Sequence, residues 1–350
     1  MPRIADALTD CAVYIYRSVD DAKNGVRQGG SGFLVVMPME NDPTSAAHVY
    51  VVTNQHVVAK TQNPVIRLNR KSGGVDSIET KQSDWFPHPD GDDIAILPLR
   101  FDHQNIQWSA ISVLAFLTQD LAYAEDVGIG DDTIMVGRFI NHDGRQQNTP
   151  SVRFGNIAMM ALEPITAPGS GIKQESFLVE TRSLPGYSGS AVLIYSPGAL
   201  HDMSMRRLGV EKSKINNVAV TDPAWLSLLQ SFKIKGPYLL GIDWCHLNNY
   251  NPVVDKDGKP TEGLKVSENT GMAGVIPAWK ILEVLNCDEV IAMRRANEKE
   301  IREAEQHVAL DAAEGADGPS VFTKEDFEAA LKKVSRRIQP SPPDEGKSGT

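Results

Sequence analysis

Thr181-Arg-Ser-Leu-Pro-Gly-Tyr-Ser-Gly-Ser-Ala-Val-Leu193 decides how the rest of this chain is read. Ser188 stands two residues after Gly186 and directly before Gly189, and the apolar run Ala191 to Tyr195 follows as a strand. Nucleophilic serine chemistry needs a hydroxyl projecting from a tight turn, with bare backbone N–H groups close enough to hold an oxyanion. Glycine lets the turn take φ values that other residues resist, and leaves room for a substrate backbone. Taken alone, a Gly/Ser cluster is ordinary loop composition. The reading therefore turns on whether the chain also supplies a base and a carboxylate in matching contexts.

Bulk properties narrow the function classes first. The chain has 350 residues, 41% hydrophobic and 23% charged, as in a globular protein with room for two or three cores. A net charge of −10 argues against a general nucleic-acid or membrane-surface binder, which needs a basic face. No run approaches eighteen consecutive apolar residues. Asp6 and Asp10 interrupt the N-terminus before any secretory apolar core. The three cysteines, Cys11, Cys245 and Cys287, form no C-x-x-C pair and no disulfide framework. These features together predict a cytoplasmic protein without a cysteine zinc site.

Upstream of the serine turn the chain reads as short β-rich runs. Cys11 to Ser18 is a first strand, and Gly29-Gly-Ser-Gly32 leads into a second, Phe33 to Val36. Ser31 is also flanked by glycines; the expectation there is a tight bend where backbones approach, a structural role. His48 to Val58 carries a strand into a polar corner holding His56. Seven other histidines exist (48, 88, 103, 142, 201, 246, 307), but His56 is delivered by a buried strand to its C-terminal end. In Asp90-Gly-Asp-Asp-Ile-Ala-Ile-Leu97 an acidic turn feeds an apolar strand, which puts Asp93 where the chain enters the core. Asp90 and Asp92 read as solvated turn formers. Further strands are expected near 66–68, 75–81, 133–137, 152–160 and 177–181, with 104–125 an irregular connection. Many short strands separated by Gly, Pro, Asn and Asp point to barrels or sandwiches.

The three contexts T-N-Q-H-V-V, D-D-I-A-I-L and G-Y-S-G-S-A-V, in the order His, Asp, Ser, resemble the trypsin/chymotrypsin-like serine proteases, nearest in texture to the bacterial HtrA-type branch. Gly30-Ser-Gly-Phe33, Val152 to Ile157, and Gly274 to Ala278 with the run Trp279 to Leu285 are similar to flanking pieces of that family, so the resemblance covers roughly residues 10 to 287. It implies a mainly β fold of two packed six-stranded antiparallel barrels. The expected boundaries are 1–120 for the first barrel, 121–287 for the second with a helical insertion near 196–236, 288–338 for a helical extension, and 339–350 for a disordered tail. The extension is too short and too helical for a PDZ module.

The resemblance further implies a role for each residue. Ser188 would attack the scissile carbonyl, His56 would take its proton and pass it to the leaving amine, and Asp93 would hold the imidazole. The backbone N–H groups of Gly186 and Ser188 would form the oxyanion hole, and no metal or organic cofactor would be needed. Tyr238 to Cys245 would be the strand lining the substrate pocket, with Asp243 and Trp244 in its wall and Arg182 and Ser183 near its floor. An arginine there would favour acidic side chains, although a one-residue shift in alignment moves it off the pocket. Tyr187 departs from the pattern, because the residue before the nucleophile is usually Asp or Asn. Activation through an ion pair with a new N-terminus is therefore not expected.

Two further segments read as helices. Thr221 to Phe232 has a capped start with an early proline, and Asp288 to Ala313 carries both charges at helical spacing. Phe327, Leu331, Val334 and Ile338 fall on one face of a third, to be buried against the barrel, the preceding helix or another chain, either a regulatory partner or a second copy. The expected partner is a protein or peptide substrate, with no nucleic acid and no membrane. The alternative is a protease-fold binding or scaffold module that cleaves nothing.

Overall fold

The computed structural model describes residues 4–25, 29–40, 46–140, 144–166, 171–181, 186–194 and 237–314. A short helix α1 (Asp6–Asp10) precedes the first lobe. Its long strands are β1 (Ala12–Tyr16), β2 (Gly30–Pro38), β3 (Ala47–Thr53), β4 (Val65–Arg70), β5 (Val75–Glu79) and, after the two-residue β6 (Phe86–Pro87), β7 (Ala95–Pro98). Helix α2 (Val19–Asn24) follows β1, and the one-turn helix α3 (Gln55–Val58) follows β3. The two-residue strands β8 (Ile106–Gln107) and β9 (Ile111–Ser112) complete the sheet, ordered β5-β4-β1-β2-β3-β7-β6 with β8 on β4 and β9 parallel to β2. Six strands thus do the main pairing, and three two-residue strands trim the edges.

The second lobe closes into a barrel, β10-β11-β14-β17-β16-β15 and back to β10. Its strands are β10 (Asp132–Gly137), β11 (Ser151–Met159), β14 (Phe177–Glu180), β15 (Ala191–Ile194), β16 (Tyr238–Val254) and β17 (Pro260–Pro277). A side hairpin of β12 (Pro164–Thr166) and β13 (Lys173–Glu175) stands off the barrel. Helix α4 (Gln119–Ala124) links the lobes, capped by the Thr118 hydroxyl, which accepts from the Leu121 N–H at 3.2 Å. The expected mainly β architecture of two barrels followed by helices is the one the chain adopts.

Period-two burial explains why each sheet curls around its own core. Val13, Ile15, Leu34, Val51, Ile66 and Leu97 fill the first, while Met135, Ile157, Phe177, Val179, Val192 and Val275 fill the second. Each such side chain contributes about 1.5–3 kcal/mol on leaving water. Strand β1 is buried on both faces, because Tyr14 and Tyr16 point away from the first core. The guanidinium of Arg138, from the end of β10, lies 5.5 and 4.2 Å from their ring centroids, and this aromatic–cation layer packs one lobe on the other.

Helix α5 (Ala278–Leu285) buries Ala278, Ile281, Val284 and Leu285 on one stripe. Helix α6 (Asp288–Glu314) follows, where the exposed pair Lys299–Glu303 at 3.7 Å adds only about 0.3–0.5 kcal/mol. The chain divides into compact units at Met1–Ala292 and Met293–Thr350. The insertion expected over 196–236, the third helix and the tail lie outside the described residues. Among the described residues no helix is long and apolar enough to cross a membrane.

Three local expectations differ from the structure. The connection 104–125 contains β8, β9 and α4. Ser31 sits inside β2 instead of in a bend, paired with Tyr14. The strand expected at 238–245 runs on to Val254 and forms a long hairpin with β17, reaching Asn249↔Glu268 and Val254↔Pro260. Asn and Pro in that extension have low intrinsic strand preference. Cross-strand pairing, which no single segment displays, carries it.

Candidate active site

Register alone brings the histidine and the acid together. Thr53 at the end of β3 pairs with Ala95 at the start of β7, so the chain leaving toward His56 runs beside the chain arriving from Asp93. Asp93 then holds His56 twice. Oδ1 accepts the His56 backbone N–H at 2.8 Å, and Oδ2 lies 2.6 Å from Nδ1. Asn54 donates from Nδ2 to the Asp93 carbonyl at 2.9 Å, closing the acid turn onto α3 from a third direction. Asp93 is buried and the imidazole is one-third exposed, so the acid is fixed while the ring edge remains reachable. With Nδ1 facing a carboxylate, the proton belongs on Nδ1 and Nε2 is left as the acceptor, the tautomer a general base needs.

The serine comes from the second lobe, and its backbone is fastened to the first. The N–H of Ser31 donates to the Ser188 carbonyl at 2.8 Å, and the Ser31 hydroxyl donates to the Gly186 carbonyl at 2.8 Å. That hydroxyl also accepts from the N–H of Arg138, and the Ser31 carbonyl accepts from the Thr53 hydroxyl at 2.7 Å. Ser31 is thus a hub joining the serine turn to the strand that carries His56. From the other side, Gly189 N–H donates to the Asp243 carbonyl at 2.8 Å and Asp243 N–H donates to the Ser190 carbonyl at 3.0 Å.

These close approaches explain the glycines. Gly189 has φ +91, and a Cβ there would lie 1.9 Å from the Ser31 carbonyl oxygen. Gly186 has φ +102, with Ile140 Cβ 2.8 Å from where its own Cβ would be. Among the described residues, the N–H groups of Gly186 and Ser188 donate to nothing, which leaves two backbone donors in the turn available to an incoming oxyanion. Among the described residues, the side-chain hydrogen bonds of His56 are to Asp93, and none joins its imidazole to the Ser188 hydroxyl.

Tyr187 is fully buried. Its hydroxyl is hydrogen-bonded to that of Ser151, and the Arg153 guanidinium lies 4.8 Å from its ring centroid. A neutral side chain therefore anchors the turn against β11. Asp243 is 1% exposed, and Trp244 is buried with its indole N–H donating to the Ser176 hydroxyl at 2.9 Å. Arg182 and Ser183 lie outside the described residues.

Cys245, partly buried on β16, has its thiol pushed up to about 12 by burial and by the charge of Asp243. It remains a protonated, unreactive thiol at neutral pH.

Behind the acid turn lies a polar cluster that sequence reasoning missed. Asp92, expected as a solvated turn former, is mostly buried. Its Oδ1 accepts from Gln174 Nε2 at 2.7 Å, and its Oδ2 is 3.4 Å from Lys280 Nζ and 3.5 Å from His88 Nε2. His88 Nδ1 accepts from the Asp90 N–H, so Nε2 carries the proton and donates to Glu283 at 3.1 Å. Ligand atoms of His88, Asp92 and Glu283 come within 4.8 Å of one another, close enough for a metal ion. Lys280, 3.1 Å from Glu283, already supplies a cation there. Burial works against the charge of Lys280, but the Glu283 hydrogen bond and the charge of Asp92 outweigh it, so its pKa is raised and it stays an ammonium.

No protein-family model matches the chain, and no curated protein matches it. Among solved structures, the chain is similar to the MamO protease domain from Magnetospirillum magneticum (apo form), with a TM-score of 0.43 and 14% identity over 80% of this chain and 98% of that one. It is also similar to Rv3671c from M. tuberculosis H37Rv, solved as a serine-to-alanine mutant in an inactive form, with a TM-score of 0.34 and 12% identity over 80% and 88% of the two chains.

Proposed function

We propose that this chain is a trypsin-like serine endopeptidase that cleaves peptide bonds through an acyl-enzyme. The observation that carries the reading is the doubly held His56–Asp93 pair, together with a glycine-bounded serine turn whose Gly186 and Ser188 N–H groups have no acceptor among the described residues. Ser188 is the nucleophile, His56 the general base and then acid, and Asp93 the group that orients the ring and balances the imidazolium. Gly186 and Ser188 N–H groups receive the developing oxyanion. Asp243 presents its backbone beside the turn, and Arg182, Asp243 and Trp244 are the pocket residues this reading assigns. Substrates are restricted or partner-gated protein segments; a partner or a second copy would act through the C-terminal helices.

A second reading, a silent binding or scaffold module, is favoured by one observation: the imidazole and the Ser188 hydroxyl share no hydrogen bond, while Tyr187 pins the turn. One experiment separates the two. A fluorophosphonate probe should label the wild type and leave Ser188→Ala and His56→Ala unlabelled. Wild type that stays unlabelled, alone and in cell lysate, would overturn the peptidase reading.

A further inference from the structure

The triad as read needs its acid and base, from the first lobe, to keep a fixed geometry toward a serine from the second. One side chain crosses between them at the acid turn. Gln174, on β13 of the second lobe, is 1% exposed, and both ends of its amide bond the first lobe. Oε1 accepts the backbone N–H of Asp93 at 2.9 Å, and Nε2 donates to Asp92 Oδ1 at 2.7 Å. The glutamine is itself propped from the pocket strand: Trp244 Nε1 donates to Ser176 Oγ at 2.9 Å, and Ser176 Oγ donates to the Gln174 carbonyl at 3.1 Å. A continuous chain of hydrogen bonds thus runs Trp244–Ser176–Gln174–Asp93–His56.

We propose that Gln174 is a positioning residue for the His56–Asp93 pair, acting on catalysis if the peptidase reading above holds. An amide is the group this place requires. It accepts from one backbone N–H and donates to one carboxylate in the same plane, which neither a carboxylate nor an ammonium does. Being buried, each lost bond would leave an unpaired polar group, so the acid turn would shift rather than tolerate the loss.

The test uses Gln174→Leu and Gln174→Glu in the full chain, with two readouts. The first is the rate of fluorophosphonate labelling against pH. Gln174→Leu should label about tenfold or more slowly at every pH, because the base loses its fixed orientation. Gln174→Glu should label like wild type in acid, where a protonated carboxyl can still donate to Asp92. It should lose ground as pH rises, when two carboxylates face each other and Asp93 adds a third. His88, Lys280 and Glu283 face Asp92 from the acid turn and α5, and Glu175 adjoins on β13; none of these changes between variants, so the ratio to wild type isolates residue 174. The second readout is hydrogen exchange at the His56 amide, whose acceptor is Asp93 Oδ1. It should be protected in wild type and exchange faster in Gln174→Leu, whether or not the protein is a peptidase. A wild type that fails to label, alone and in cell lysate, while His56 protection still depends on Gln174 removes the peptidase reading and leaves the positioning role standing. His56 protection unaltered in Gln174→Leu, or absent in wild type, overturns it, as does a Gln174→Glu labelling profile that tracks wild type across the pH range.

Discussion

The two halves of the candidate site are built by different means. The acid–base half is held by side chains: the Asp93 carboxylate grips His56 twice, Asn54 closes the turn, and Gln174 braces it from behind. The serine half is held by backbone. The carbonyls of Ser188 and Gly186 are bonded to Ser31, and the N–H of Gly189 is bonded to Asp243. Side-chain locks fix the direction of a proton acceptor. Backbone locks leave a hydroxyl free to rotate and N–H groups free to receive charge. The contrast predicts that the first half fails by chemistry when altered, and the second by loss of fold.

The largest effect that would sharpen this contrast is at Asp93. Asp93→Asn, nearly isosteric, should lower fluorophosphonate labelling by about 10⁴-fold through the wrong imidazole tautomer, with a melting temperature near wild type. A small loss of labelling would mean that the carboxylate does not set the ring. Next comes Gly189→Ala, where a Cβ would meet the Ser31 carbonyl at 1.9 Å in a backbone of φ +91. Denaturant unfolding should show a loss on the order of 2–4 kcal/mol, through strain rather than lost chemistry. A variant as stable as wild type would break the idea that the serine half is held by backbone contact.

Tyr187→Phe removes only the hydroxyl bonded to Ser151. It should cost about 1 kcal/mol in denaturant unfolding and slow labelling by a few fold at most, because the ring and its arginine partner remain. An increase in labelling would instead assign Tyr187 to holding the turn shut. The smallest expected effect is none. With burial holding Cys245 at about 12, iodoacetamide at neutral pH should leave labelling unchanged.

Several of these residues were legible in one dimension. The serine turn announced itself because its chemistry demands glycine at φ values other residues resist, and His56 and Asp93 stood out because each sits where an apolar strand meets a polar corner. Gln174 carried no such signal. In Gly171-Ile-Lys-Gln-Glu-Ser176 it is one polar residue among several, and its partners are more than eighty positions away. Asp92 was misjudged for the same reason, since a second aspartate in an acidic turn reads as solvated until the other lobe is seen to cover it. Ser31 was placed as structural, but its position inside β2, with bonds to Ser188, Gly186, Arg138 and Thr53, depends on a surface belonging to another lobe.

By itself the sequence determined most of the longer strands, because alternation and glycine placement are local, but not β8, β9 or the far end of the β16–β17 hairpin. It also determined the order His, Asp, Ser, which composition cannot scramble. Only the tertiary structure decided how the two halves are joined. A hydrogen bond between lobes leaves no period and no spacing in the chain, and its energy exists only once burial has removed water as the competing partner.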